Sequence, residues 1–425
     1  MEIKNLSKNE LLSLKEELSA QYGAFKAQGL ALDMSRGKPG KDQLDLSQPL
    51  LDELNSGSDI RCEGGTDCRN YGIVDGIPEA KRLFAQLFGL DTDEVLIGGN
   101  SSLNMMFDTI AQAMVSGVGG SEPWLKQGDV KFLCPAPGYD RHFAICEYFG
   151  IQMISVPMKE TGPDMDVVER LAASDPSIKG IWCVPKYSNP QGITYSKETV
   201  QRFAALKPAA ADFRIFWDNA YCVHQLFGED EQLLNLINEA KKYGNEDRVY
   251  MYYSTSKITF PGAGVAGMAA SKANLNEIKK RLTIQTIGHD KLNQLRHVRY
   301  LKDLEGLKAQ MEKQAVILRP KFEAVLSILK SELGGTGIAY WTEPKGGYFV
   351  SVDVEQGTAK RVVQLCKEAG VVLTGAGATF PYGKDPLDRN IRIAPTFPPV
   401  SELETAMQLF CICAKLAAVE GYLGE

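Results

Sequence analysis

Five short apolar runs, each closing on polar or turn-forming residues, punctuate the first two thirds of the chain: VLIGGN from Val95, KFLCPAPGYD from Lys131, GIWCVPKYSNPQG from Gly180, RIFWDNAY from Arg214 and VYMYYSTSK from Val249. They are separated by longer amphipathic stretches. Short unbroken apolar runs alternating with helical segments predict an α/β protein whose mostly parallel sheet is covered on both faces. Ligands of such sheets bind beyond the carboxyl ends of the strands. Asn100, Tyr139, Asn189, Asp218 and Lys257 each follow one of these runs, so the fold would gather them although they are far apart in sequence.

From Leu301 the pattern changes. A long charged helical stretch, LKDLEGLKAQMEKQAVILRPKFEAVLSILKSEL, leads to YWTEPKGGYFVSVDV and NIRIAPTF. This predicts a second, smaller α+β lobe made of residues 301–425 with the N-terminal segment 1–45, beside a large lobe over 46–300. With 425 residues and 44% hydrophobic content the chain is long enough for both.

A net charge of -6 gives no basic surface for nucleic acid or anionic lipid. The N-terminus mixes charges into a helical pattern instead of an export signal, and no run approaches the ~20 apolar residues of a spanning helix. Nine cysteines without a C-x-x-C pair suit free thiols in a reducing compartment. The expectation is a soluble cytoplasmic protein. Cys134, His142 and Cys146 match no common zinc spacing, and no metal site is expected.

Lys257 could be an exposed charge at a strand end or a nucleophile. A lysine that forms a Schiff base with pyridoxal phosphate needs a carboxylate to keep the pyridine nitrogen protonated, donors for the phosphate and a donor for the ring's phenolic oxygen. Asp218 lies 39 positions earlier (257 − 218), at the end of an apolar run, with Tyr221 three residues on. Taken alone, Asp218 could equally cap a helix and NPQG could be a simple turn. GGNSS, Gly98–Ser102, offers small residues and hydroxyls where a helix begins, which suits either a cap or a phosphate.

The ordered series SRGKP, NYGIVDGIPE, GGNSS, PGYDRH, NPQG, DNAY, STSK and NIRIAP resembles the aspartate aminotransferase-type enzymes of fold type I, in a divergent bacterial subgroup, over nearly the whole chain. The resemblance implies a seven-stranded sheet in the large lobe, pyridoxal 5'-phosphate as cofactor, and a homodimer with shared active sites. It makes Lys257 the Schiff-base lysine, Asp218 the partner of the pyridine nitrogen, and Asn189 and Tyr221 donors to the phenolic oxygen. Tyr139 would stack on the cofactor and His142 support Asp218. Gly99, Asn100, Ser101 and Ser254 would form the phosphate cup, joined by Tyr71 from the neighbouring subunit. Arg392, with the main chain at Gly37, would hold the substrate α-carboxylate. Close relatives place a phosphate-neutralising arginine eight residues after the lysine; here that position is Val265.

The implied reaction moves an amino group between an L-amino acid and a 2-oxo acid, aspartate or glutamate with 2-oxoglutarate. Arg36, Lys291 and Arg296 are candidates for a distal carboxylate. Aromatic, alanine or aminoadipate donors stay open, as does β-elimination. Gly262-x-Gly264-x-x-Gly267 has the spacing of a dinucleotide loop, but it follows Pro261 and leads into VAGMAAS, which reads as a strand where that loop should open a helix. A ligand-sensing regulator would need a DNA-binding module, for which the roughly 30 residues before SRGKP are too few.

Overall fold

The computed structural model describes residues 2–425. A capping box between Ser7 and Glu10 starts the first helix, Lys8–Lys26, by satisfying main-chain N–H groups that the helix cannot pair itself. A two-residue strand follows, β1 (Leu32–Asp33). The main sheet then forms from β2 (Val95–Ile97), β3 (Lys131–Ala136), β4 (Gln152–Lys159), β5 (Gly162–Pro163), β6 (Ile178–Cys183), β7 (Arg214–Asp218), β8 (Val249–Ser254) and β9 (Ala266–Ala269).

Their spatial order is β2-β9-β8-β7-β6-β3-β4-β5. Only β9 and the edge strand β5 run against the others. The sheet thus has eight strands where seven were expected. The addition is β5, whose two residues, Gly162 and Pro163, carry no apolar run by which a strand could be recognised. Along β7, Ile215 and Trp217 enter the core on one face while Phe216 enters the core on the other, the period-two alternation of a doubly covered strand.

The second sheet has the antiparallel order β10-β11-β13, from β10 (Ala339–Trp341), β11 (Val350–Val354) and β13 (Asn390–Ile393); between them β12 (Val371–Val372) pairs in parallel with β1. Its core combines Ile3, Leu11, Leu18 and Met34 with side chains of helix Leu304–Leu333 and helix Val400–Leu423. The first and last parts of the chain therefore close one core. Helix Leu304–Leu333 joins the two lobes physically: Leu307 and Met311 are buried with the main sheet, Leu318, Phe322, Val325 and Leu329 with the smaller one.

Helix Val400–Leu423 is long and apolar enough to cross a membrane, with a mean hydropathy of 1.4 over its most apolar window. Two thirds of that window is buried inside the protein, against helices Lys8–Lys26, Leu304–Leu333 and Ala359–Glu368. Its apolarity serves packing.

A tight turn pins the small lobe to the large one. Gly347 N–H donates to His224 C=O and Leu226 N–H to Lys345 C=O, both at 2.8 Å. A Cβ at Gly346 or Gly347 would fall 2.6 or 2.9 Å from the Tyr187 side chain, so only glycine fits. The turn delivers Tyr348 and Phe349 toward the carboxyl edge of the main sheet.

Phe322 is fully buried and Val316, on the same helix, is 59% exposed. Phe322→Ala should cost about 3–5 kcal/mol through lost transfer energy and the cavity left behind, whereas Val316→Ala should stay within about 0.5 kcal/mol. Urea unfolding of the two variants measures the contrast.

Candidate active site

The strand ends converge as the parallel order requires. A cavity of about 240 Å³ at the carboxyl edge is lined by Ser101 and Ser102 after β2, Tyr139 after β3, Asn189 after β6, Asp218 and Tyr221 at and after β7, and Ser254, Ser256 and Lys257 at and after β8.

Asp218 is the last residue of β7 and only 2% exposed. No helix follows it to be capped. Its Oδ2 lies 3.1 Å from His142 Nε2, and its Oδ1 is buried without a hydrogen-bond partner among the described residues. His142 stacks on the Trp182 indole at 4.4 Å, and that indole donates to Cys146 Sγ at 3.2 Å. Cys146 and His142 are thus engaged in packing behind the aspartate.

Lys257 ends a single 3-10 turn, Thr255–Lys257, directly after β8. Its Nζ lies 4.8 Å from the Tyr221 ring centroid and 5.7 Å from that of Tyr348. Burial holds the ammonium below the ordinary lysine value, and the negative charge of Asp218 opposes that in part. Burial, with Tyr139 and Asp218 nearby, pushes the Tyr221 phenol well up, so it stays a hydrogen-bond donor.

Arg392, on β13 of the small lobe, reaches across to the large one. Its Nη1 donates to Asp140 Oδ1 at 2.8 Å and to Asn189 Oδ1 at 3.1 Å, and its Nε is buried without a partner among the described residues. The guanidinium lies 4.8 Å over the Phe349 ring. Gly37 meets the same ring so closely that a Cβ would collide with it, so the SRGKP segment packs on the ring that Arg392 overlies.

Other expected residues lie elsewhere. Gly99 and Asn100 line a neighbouring cavity with Asp108, Gln285 and His289; of the GGNSS segment, only Ser101 and Ser102 face the Lys257 cavity. Tyr71 stands on the surface, 78% exposed. Arg36 is exposed beside Gly37, Lys291 is 5% exposed at the start of helix Lys291–Leu301, and Arg296 donates to Asn293 Oδ1 at 2.8 Å. Val265 is 2% exposed in the apolar core, with its N–H donating to Thr255 Oγ1 at 2.9 Å. Gly262 and Gly264 belong to a turn before β9, which rules out a helix-opening dinucleotide loop.

Sequence reasoning missed Asp140, Trp182, Tyr348, Phe349, Ser256 and His224. Asp140 and Ser256 lie inside PGYDRH and STSK and were within reach. His224 carried no signal: it is a lone histidine after DNAY, 1% exposed, with neither ring nitrogen hydrogen-bonded, packed edge-on against Tyr221 and Tyr348.

This fold and this edge define a fold-type-I transferase, with a buried amine and a half-satisfied carboxylate in one cavity. The family model described as "Aspartate amino-transferase" matches residues 6–425. The chain is 49% identical, over the whole of both chains, to a putative aminotransferase of Mycolicibacterium smegmatis. It is 47% identical to an aspartate aminotransferase of Corynebacterium glutamicum, over 96% of this chain and 94% of that one. The crystal structure of an aspartate transaminase from Corynebacterium glutamicum, 45% identical, superposes with a TM-score of 0.97 over 99% of each chain. LysN of Thermus thermophilus, an α-aminoadipate aminotransferase solved with N-(5'-phosphopyridoxyl)-L-leucine, shares the fold at 20% identity, with a TM-score of 0.74 over 93% of this chain and 95% of that one. The chain belongs to the aspartate aminotransferase family, and it is an aminotransferase.

Burial, with the charge of Lys257, depresses the His224 imidazole to about 3 from the ordinary 6.5. Between those values the unfolded chain binds a proton that the folded one refuses, so protonation favours unfolding and stability falls as pH drops through the window. His224→Phe should flatten that fall. His297, depressed to about 4 by burial, keeps part of it. Denaturant midpoints at pH 7 and pH 5 for both proteins check the difference.

Proposed function

We propose that the chain is a cytoplasmic, pyridoxal-phosphate-dependent aspartate aminotransferase, moving the amino group of aspartate or glutamate to and from 2-oxoglutarate in a homodimer with shared active sites. The observation that carries the reading is Asp218: a buried carboxylate with one oxygen committed to His142 and the other unpartnered, in the same cavity wall as Lys257. An orphaned buried carboxylate oxygen is costly unless a cation or donor meets it. A protonated pyridine nitrogen is such a donor, and the cavity's hydroxyls, phenol and amide suit the rest of that cofactor. The bound cofactor supplies an electron sink for the bond broken at the substrate's Cα.

The chain's own residues do the remaining work. Asp218, preorganised by His142, would hold the ring nitrogen charged. Asn189 accepts from Arg392 through Oδ1, which would leave its Nδ2 to donate to the phenolic oxygen with Tyr221, and the Tyr139 ring lines the same cavity. Lys257, as a free amine, would take the proton from the substrate's Cα and pass it on to the cofactor; a depressed pKa raises its share of free base. Arg392 offers the α-carboxylate a planar guanidinium already oriented by Asp140 and Asn189, next to the main chain at Gly37. Ser101 and Ser254 would meet the phosphate end in the cavity, with Gly99 and Asn100 in the neighbouring one.

The aspartate preference is supported by the 47% identical aspartate aminotransferase, and Arg36, Lys291 and Arg296 are the candidate cations for a distal carboxylate. Tyr71, exposed in one protomer, is free to reach a second copy. Nine unpaired cysteines fit a reducing cytoplasm.

The purified protein should be yellow, and Lys257→Ala should abolish transamination; turnover at the normal rate by that variant would sink the assignment. Arg392→Ala should weaken substrate capture by about 2–5 kcal/mol in kcat/KM, the range for breaking a buried charge pair. Mixing the enzyme with single amino acids and following its visible absorption decides the donor. No change with aspartate or glutamate, but a change with aromatic amino acids, alanine or aminoadipate, removes the acidic-substrate reading.

A further inference from the structure

Along the carboxyl edge, the side of the cavity at the ends of β2 and β8 is built from serines: Ser101, Ser102, Ser254 and Ser256 all line it. Ser101 precedes the 15-residue helix Ser102–Ser116, yet its hydroxyl makes no capping bond. It is therefore available to something else, as are the first N–H groups of that helix, which have no partner within it. Ser254 Oγ donates to Ser256 Oγ at 3.0 Å, and Ser256 Oγ to Asn100 C=O at 3.4 Å, a weak bond that a better acceptor could replace.

The same cavity contains the unpartnered, buried Oδ1 of Asp218 on the neighbouring strand β7. A ligand that satisfies this oxygen with a cationic ring nitrogen would carry its anionic end toward the serines.

Among the described residues, Lys257 is the only basic side chain lining this cavity, and its amine faces Tyr221 and Tyr348. The loop before β9 also reaches this edge, because β9 runs antiparallel, but it brings no charge. Val265 is turned into the apolar core. At Gly264 a Cβ would lie 3.2 Å from Phe260 C=O and from Thr255 Oγ1, and 3.3 Å from Asn100 C=O. A side chain started there would meet a ring of oxygens.

Resting on the function proposed above, we infer that this protomer holds the cofactor's phosphate with neutral donors alone, the hydroxyls of Ser101, Ser254 and Ser256 and the N–H groups at the start of helix Ser102–Ser116, without a guanidinium or ammonium of its own. Ser256 and the helix start then carry the load that a cation would otherwise take.

The test uses the full chain, stripped of cofactor and reloaded. Affinity for pyridoxal phosphate relative to unphosphorylated pyridoxal isolates the phosphate's contribution. Ser256→Ala should lower that ratio about tenfold or more, the size of a hydrogen bond to a charged group; Ser256→Thr, which keeps the hydroxyl, should restore most of it. Lys291→Met, which removes a buried lysine outside the cavity, should leave the ratio within about threefold. The phosphorus resonance of the bound cofactor should move in Ser256→Ala and stay in place in Lys291→Met, a signature that a loss of fold would not produce selectively. A ratio that collapses in Lys291→Met while Ser256→Ala is silent overturns the neutral cup and leaves the cofactor reading intact. Failure of the unmutated chain to bind pyridoxal phosphate overturns both.

Discussion

The site is organised around one carboxylate held inside an apolar wall. Asp218 is almost wholly removed from water, and a buried carboxylate is costly unless donors meet its oxygens. Three layers support it. His142 meets one oxygen, Trp182 holds the His142 ring flat, and Cys146 accepts the indole N–H. The remaining oxygen is left for a ligand. Lys257 and Tyr221 are arranged around that carboxylate, and the depressed basicity of the lysine follows from sharing its dry surroundings.

Arg392 works under the opposite constraint. A guanidinium keeps its charge at any ordinary pH, so the chain has only to aim it. Asp140 and Asn189 of the large lobe do so from one side and the Phe349 ring from another. Phe349 is where it is because the glycine turn before it is wedged against Tyr187. Arg392 and the Asp218–Lys257 pair thus come from different lobes, and that turn registers one against the other.

Much of this was legible in the sequence. Apolar runs closing on Asp218, Asn189, Tyr139 and Lys257 announced both the parallel sheet and the edge where those residues meet, because strand direction alone decides where a run's last residues emerge. Strand β5 was not legible, since two residues leave no periodicity. The C-terminal helix was not recognised as a long apolar segment because its glutamates and lysine interrupt the run without spoiling the buried face. His224 and Phe349 stayed hidden for another reason: their importance comes from neighbours that only tertiary packing supplies. Val265 was legible as a missing charge, but where its side chain goes instead depends on the reversed direction of β9.

The shared core of the small lobe sets the order in which the protein can be made. Ile3, Leu11 and Leu18 pack with Leu403, Phe410 and Val419, so the N-terminal helix must wait for a partner encoded about 400 positions later. At about 5–20 residues per second, that wait is tens of seconds, during which the amphipathic N-terminal helix has no permanent partner. Its capping box, its scattered charges and its few deeply buried side chains suit a segment that must stay soluble and unattached until helix Val400–Leu423 has been made.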